Sequence, residues 1–190
     1  KLPEFRVSVE LPDEPDDGGA AGGPPRKQSF KSGETVSALI RAEYYFGGPV
    51  AGAAAEVLVW RETYWPRWER VRAYPWFYEG AASGRRGRYW SGGPQLVSQQ
   101  TLATDGGGTI AFAFPTETGP GADHKYRIES RVTDASRREV TGNGTVRVAR
   151  QRFFVNARAR HNLHRPGDEV AIDFESQDAN GAPYAAEGRV

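Results

Sequence analysis

The chain has no cysteine and no methionine, and only four of its 25 basic residues are lysine. Without cysteine there can be no disulfide, thiolate metal site or cysteine nucleophile anywhere in it. The absence does not assign a redox compartment, because 190 residues can bury a core that needs no covalent staple. A surplus of charge is missing too. With 24 acidic residues the formal net charge is +1, which points to neither nucleic acid nor an anionic membrane surface. No apolar run approaches the length of a membrane span, and there is no signal-peptide pattern. The skew from lysine to arginine, with abundant alanine and glycine, fits a GC-rich bacterial genome better than an arginine-built binding site. Starting at Lys1 without a methionine, the chain reads as a piece from the middle of a longer protein.

A helical period is also lacking, since nowhere does a 3.6-residue spacing of apolar positions persist for three turns. What is present is alternation. Phe5, Val7, Val9 and Leu11 keep the period of two expected of a half-buried strand. After a loop rich in Gly, Pro and Asp, Val36, Ala38, Ile40, Ala42 and Tyr44 keep it again. The turn Phe46-Gly47-Gly48-Pro49 stops that strand, and Val57 and Val59 begin the returning one. Further strands are predicted at about 97–104, 109–114, 125–133 and 139–149. Asp105-Gly106-Gly107-Gly108 separates the first two of these, because glycine tolerates the positive φ of hairpin turns. Seven strands divided by turn signals predict an all-β, antiparallel sandwich.

The last forty residues repeat the first. Lys31-Ser-Gly33-Glu34-Thr-Val36 is echoed by Arg165-Pro-Gly167-Asp168-Glu-Val170, and Phe46-Gly-Gly-Pro49-Val50 by Asn180-Gly-Ala-Pro183-Tyr184. Gly167 and Pro183 each lie 134 positions after Gly33 and Pro49. Upstream, Phe154-Val155 answers Phe5-Arg-Val7. A domain at 1–150 is therefore followed by the start of a second copy at 151–190. Strands are predicted in the second copy at about 153–159, 168–176 and 185–190. Phe153, Phe154, Val170, Ile172 and Phe174 would then lack an opposing sheet. An uncovered face and edge pair with what is available, so the tail is expected either to pack on the first domain or to form a dimer of the chain through 151–190.

Several runs, taken in order, resemble bacterial alpha-2-macroglobulins. They are Pro3-Glu-Phe5-Arg-Val7, Gly33-Glu34, Ala42-Glu-Tyr44-Tyr-Phe46-Gly-Gly-Pro49-Val-Ala-Gly52-Ala53, Tyr126-Arg-Ile128-Glu-Ser-Arg-Val132-Thr-Asp134-Ala-Ser136, and Arg165-Pro-Gly167-Asp-Glu-Val170. The resemblance leaves out mainly the loop at 12–30 and an insertion at about 62–95. It implies macroglobulin-like domains, each a seven-stranded fibronectin-like β-sandwich, here around the third and the start of the fourth of the parent's series. It further implies a broad-spectrum endopeptidase inhibitor, a trap in which cleavage of a bait segment triggers enclosure of the protease. Many members also carry a Cys-x-Glu-Gln thioester, which cannot lie in a chain without cysteine. The bait belongs to a later domain and maps onto no stretch of this one. The role implied for 1–190 is that of non-enzymatic scaffold, with neighbouring domains of the parent as direct partners and target proteases met only through the full-length parent. The same resemblance implies a parent in the periplasm or cell envelope, and leaves open whether that parent is anchored to a membrane.

Tempting chemistry in the residues has ordinary explanations. His161 and His164 have a spacing that suits a metal only on a helix, and no third ligand stands near. His124 adjoins Asp123, but adjacency in sequence is no triad, and no nucleophile-elbow sequence occurs. Glu34, Asp134 and Asp168 border turns, where carboxylates bond backbone N–H groups. Gly106-Gly107-Gly108 is followed by neither a helix nor a Lys-Ser/Thr pair, so it is no phosphate loop. No cofactor, metal or catalytic residue is predicted.

All five tryptophans fall in the segment from Trp60 to Trp90, interleaved with tyrosine, phenylalanine and arginine. Such a mixture favours cation–π stacking and is also what interface hot spots use. Trp65, Trp68, Trp76, Phe77, Tyr78 and Trp90 are the candidate interface. Exposed aromatics on that scale are costly unless covered, so packing against a neighbouring domain is the favoured reading. The alternative is a cell-envelope binding module that uses the insertion to hold glycan or a protein partner. Stacking on single-stranded nucleic acid is disfavoured by the near-zero net charge.

Overall fold

A computed structural model of the chain describes residues 4–11, 30–65, 93–118, 123–161 and 163–189. Ten strands make up its regular structure. They are β1 (Phe5–Glu10), β2 (Phe30–Lys31), β3 (Thr35–Tyr44), β4 (Ala54–Tyr64), β5 (Gln95–Ala103), β6 (Thr109–Pro115), β7 (Asp123–Thr133), β8 (Glu139–Ala149), β9 (Phe154–Ala159) and β10 (Ile172–Gln177).

The first eight build a sandwich of a three-stranded sheet, β1-β3-β6, and a five-stranded sheet, β2-β8-β7-β4-β5. All pairings are antiparallel except that of β2, which runs parallel to the end of β8 at Phe30↔Val148 and Lys31↔Ala149. The alternation read in the sequence is the inward face. Val36, Ala38, Ile40 and Ala42 of β3 and Ile110, Phe112 and Phe114 of β6 are buried against Ala55, Val57 and Val59 of β4. Tyr126, Ile128 and Val132 of β7 and Val146 and Val148 of β8 complete that core. A fully buried side chain of this kind contributes about 1.5–3 kcal/mol, so the two faces together dominate the fold's stability.

Where the sheets close, small residues let backbones meet. A Cβ on Gly142 of β8 would lie 2.6 Å from both Cγ1 and the carbonyl oxygen of Val7, and one on Gly144 would lie 2.7 Å from Cγ1 of Val9. Only hydrogen at these two places allows β1 to cross β8. Two threonines lock the strand ends. The Thr104 hydroxyl donates to the Val50 carbonyl at 2.6 Å and accepts the Ala53 N–H at 2.8 Å. The Thr116 hydroxyl does likewise between the Glu34 carbonyl and the Gly33 N–H.

The second copy is present as a two-stranded sheet, β9-β10. Its hairpin reproduces that of the first domain bond for bond at the 134-residue offset. Gly33 and Gly167 share a φ of 93°. The Glu34 and Asp168 carboxylates accept the N–H of Lys31 and Arg165, and the bridge Glu43↔Pro49 becomes Gln177↔Pro183.

Four details differ from the sequence reading. Among the described residues the first domain shows eight strands where seven were expected, because the two-residue β2 is too short to show a period. β10 starts at Ile172 rather than 168, and β9 pairs with all of it. In the first domain the matching residues Thr35–Ser37 are held by β6 and not by β1, and no described residue of the tail stands in for β6. Residues 185–189 form no strand, having no partner among the described residues. Phe153, expected to be uncovered, stacks on Tyr184 with ring centroids 4.9 Å apart.

Candidate functional site

The aromatic segment leaves the sandwich at the end of β4, whose outward side chains alternate with the core-facing Val57 and Val59. Trp60 stands opposite Leu96 of β5 and Arg127 of β7, and the guanidinium carbon of Arg127 lies 5.8 Å from its ring centroid. One rung further, Glu62 pairs with Lys125 at 2.6 Å. Next, Arg147 of β8 sits 5.1 Å from the ring centroid of Tyr64. A shelf of aromatic rings and cations thus lines the outer face of the larger sheet, and cations over ring faces are held by the ring quadrupole. Trp65, which follows directly, is 59% exposed. Trp68, Trp76, Phe77, Tyr78 and Trp90 lie outside the described residues.

The tail's hairpin tip occupies part of this shelf. The Tyr64 hydroxyl donates to the Ala179 carbonyl at 3.4 Å, and the Arg147 backbone N–H donates to Asn180 Oδ1 at 3.1 Å. Asp178 and Ala179 are buried there, at 4% and 6% exposure. The Asp178 carboxylate shapes the tip by accepting the N–H groups of Asn180 and Ala182, both at 2.8 Å. The connection between the domains is tied down as well. Buried Asp123 accepts the Arg150 N–H at 2.9 Å and faces its Nε at 3.4 Å, and Arg152 pairs with Glu34. Of the two outcomes expected for the tail, packing on the first domain is what the structure displays at its tip. Sequence reasoning missed Tyr64, Arg147 and Asn180 as a group. The sole local signal was the Asp178-x-Asn180-Gly181 turn, which says that a tip exists but not what it touches.

The described titratable groups nearby bond to backbone groups or to opposite charges. Burial, and then the Arg61 guanidinium, lower the pKa of His124 from its usual 6.5, with Asp123 pulling the other way. Arg61 is itself paired with Glu117. His161 and His164 have ring centroids 6.4 Å apart, and His164 Nε2 lies 2.9 Å from the His161 carbonyl oxygen. Among the described residues no three His, Asp or Glu side chains converge as metal ligands. Glu34, Asp134 and Asp168 cap turns as expected: Asp134 accepts the N–H groups of Ser136 and Arg138, both at 2.9 Å. Asp105 accepts those of Gly107 and Thr109, and these bonds hold its carboxyl below the usual range, the Thr109 N–H foremost. The described part of this surface seats the hairpin tip of the tail.

No family model matches the chain. It is 27% identical over 183 residues to the alpha-2-macroglobulin of Thermotoga maritima, a match covering 96% of this chain and 9% of that protein. In fold it is similar to Salmonella alpha-2-macroglobulin reacted with methylamine, at a TM-score of 0.55 over 96% of this chain and 12% of that one, with 12% identity. Escherichia coli alpha-2-macroglobulin activated by porcine elastase aligns at a TM-score of 0.53, covering 94% of this chain and 14% of that one, with 13% identity. The chain carries a macroglobulin-like domain. The chain spans roughly a tenth of the length of these relatives. Among the described residues no helix is long and apolar enough to cross a membrane.

Proposed function

We propose that this chain is a structural, non-enzymatic segment of an alpha-2-macroglobulin-like protease trap, with one macroglobulin-like domain at 1–150 and the beginning of another at 151–190. The observation that carries the reading is the end-to-end match, 96% of the chain, to a bacterial alpha-2-macroglobulin. The seated hairpin supports it: a domain whose successor is bonded to its end through Tyr64 and Arg147 is built to transmit position along a series. Activity in such a protein resides in the rearrangement of the whole, and fold by itself assigns no chemistry. The direct partners are neighbouring domains, target proteases are met through the full-length parent, and the parent lies in the periplasm or cell envelope. Trp65, Trp68, Trp76, Phe77, Tyr78 and Trp90 are proposed to pack against one of those neighbours, an assignment that the exposure of Trp65 favours.

The test compares the chain with its parent. Residues 1–190 alone should neither inhibit a panel of endoproteases nor hydrolyse ester, peptide or phosphate substrates. The full-length parent should shield a bound protease from a large substrate while leaving a small one accessible. Stoichiometric inhibition by 1–190 alone would overturn the scaffold assignment.

A further inference from the structure

The tip of the first domain's hairpin, Tyr44–Gly48, is the counterpart of the tip at Asp178–Ala182. The correspondence is one of bonds as well as of sequence. The Tyr44 N–H donates to the Gly48 carbonyl as the Asp178 N–H does to that of Ala182. The Gly47 N–H returns to the Tyr44 carbonyl as the Gly181 N–H does to that of Asp178, and both glycines have positive φ. One tip is seated and the other is not. Ala179 is 6% exposed, whereas its equivalent Tyr45 is 65% exposed and Phe46, equivalent to Asn180, is 81% exposed. Phe46 is also held ready, stacked on Tyr44 at 4.9 Å between centroids. Two adjacent exposed aromatic rings, one of them preorganised by stacking, are what an interface anchor looks like before its partner is in place.

We propose that Tyr45 and Phe46 are the docking knob by which this domain seats on the end of a preceding macroglobulin-like sandwich, repeating the joint that Ala179 and Asn180 make with Tyr64 and Arg147. The occupant follows from the joint within the chain. It is a sandwich surface with an aromatic side chain closing one strand, an N–H offered from the strand two places along the sheet, and the arginine of that same residue over the ring. Such a shelf offers cation and ring faces that suit aromatic knobs better than the small Ala179 and Asn180. The inference rests on the scaffold reading, because it needs a parent in which a like domain precedes this one.

The absence of cysteine makes the test direct, since one introduced thiol is the only one in the chain. Tyr45→Cys, Phe46→Cys and Ala179→Cys are made separately, each of the first two leaving the other knob intact. Labelling by a maleimide is timed in the 190-residue chain and in a longer parent carrying the preceding domain. In the 190-residue chain the thiols at 45 and 46 should react as fast as an unstructured peptide thiol, and the thiol at 179 at least about tenfold more slowly. In the longer parent the thiols at 45 and 46 should slow by at least about tenfold as well. Unchanged labelling at 45 and 46 in a parent that still traps protease overturns the knob and leaves the scaffold reading standing. Slow labelling in a parent that traps nothing upholds the knob and counts against the trap. Fast labelling at 179, or protection at 46 that grows with concentration of the 190-residue chain alone, also overturns the proposal, the latter by making a second copy the occupant.

Discussion

Ile40 and Phe174 hold the same place in two hairpins that share turns, bridges and glycine conformations, yet Ile40 is 0% exposed and Phe174 is 49% exposed. The pairs Val36 with Val170 and Ala38 with Ile172 show the same contrast, the later member of each being nearly half exposed. Both regions have the local pattern of an inward face. In the first, β4, β7 and β8 supply the opposite wall; in the second, no described residue does. The strands differ for the same reason. β3 runs for ten residues because β1 holds one half and β6 the other, and β10 runs for six because β9 is its one partner. A hairpin can therefore fold to its own register before anything covers it, while burial and full strand length wait for the second sheet.

The comparison can be broken most sharply at its central pair. Ile40→Ala should destabilise the protein by about 2–5 kcal/mol, through lost transfer energy and the cavity left behind, whereas Phe174→Ala should stay within about 0.5 kcal/mol. Urea unfolding of the two variants checks this; equal effects would mean that the tail's face is covered in solution. The next effect is at the wall itself. Gly142→Val drives a side chain into Val7, whose atoms lie 2.6 Å from the position of a Cβ, and should cost about 1–3 kcal/mol. Amide exchange along β1 should accelerate, with β9 and β10 unaffected, since no β8 crosses their face. The smallest effect concerns pH. The folded sandwich lowers the pKa of His124 from 6.5, so the unfolded chain binds its proton first. Stability is then complete above about pH 6.5 and declines as the pH falls below it. Because the ring is partly solvated the loss should be modest. His124→Gln should flatten this part of the profile in thermal melts at pH 5–8, and a slope that survives the substitution would assign the titration elsewhere.

Much of this was legible in particular residues. Alternation at Val36–Ala42 and Ile110–Phe114 marked the strands and their buried faces, and the glycine and proline echoes located the second hairpin to the residue. The arginines interleaved with the aromatics between 66 and 90 fall outside the described residues with most of the candidate interface, and the cations over Trp60 and Tyr64 come from Arg127 and Arg147 on other strands, which no local window around Trp60 contains. β2 could not be read because two residues have no period. The late start of β10 could not be read because the sequence at 168–171 is as suited to a strand as that at 34–37, and what it lacks is a partner.

By itself the sequence determined everything carried by neighbours along the chain: the period of two, the turns at Gly33, Gly47, Gly167 and Gly181, and the repeat. Only the tertiary structure decided what lies across from each face. Gly142 became the crossing point for β1 because Val7, 135 positions earlier, packs there, and Tyr64 became a seat because Ala179 arrives 115 positions later. Local pattern fixes which side of a strand wants cover. Which surface provides it depends on chain closure over such distances, and that information is held jointly by residues no local window contains.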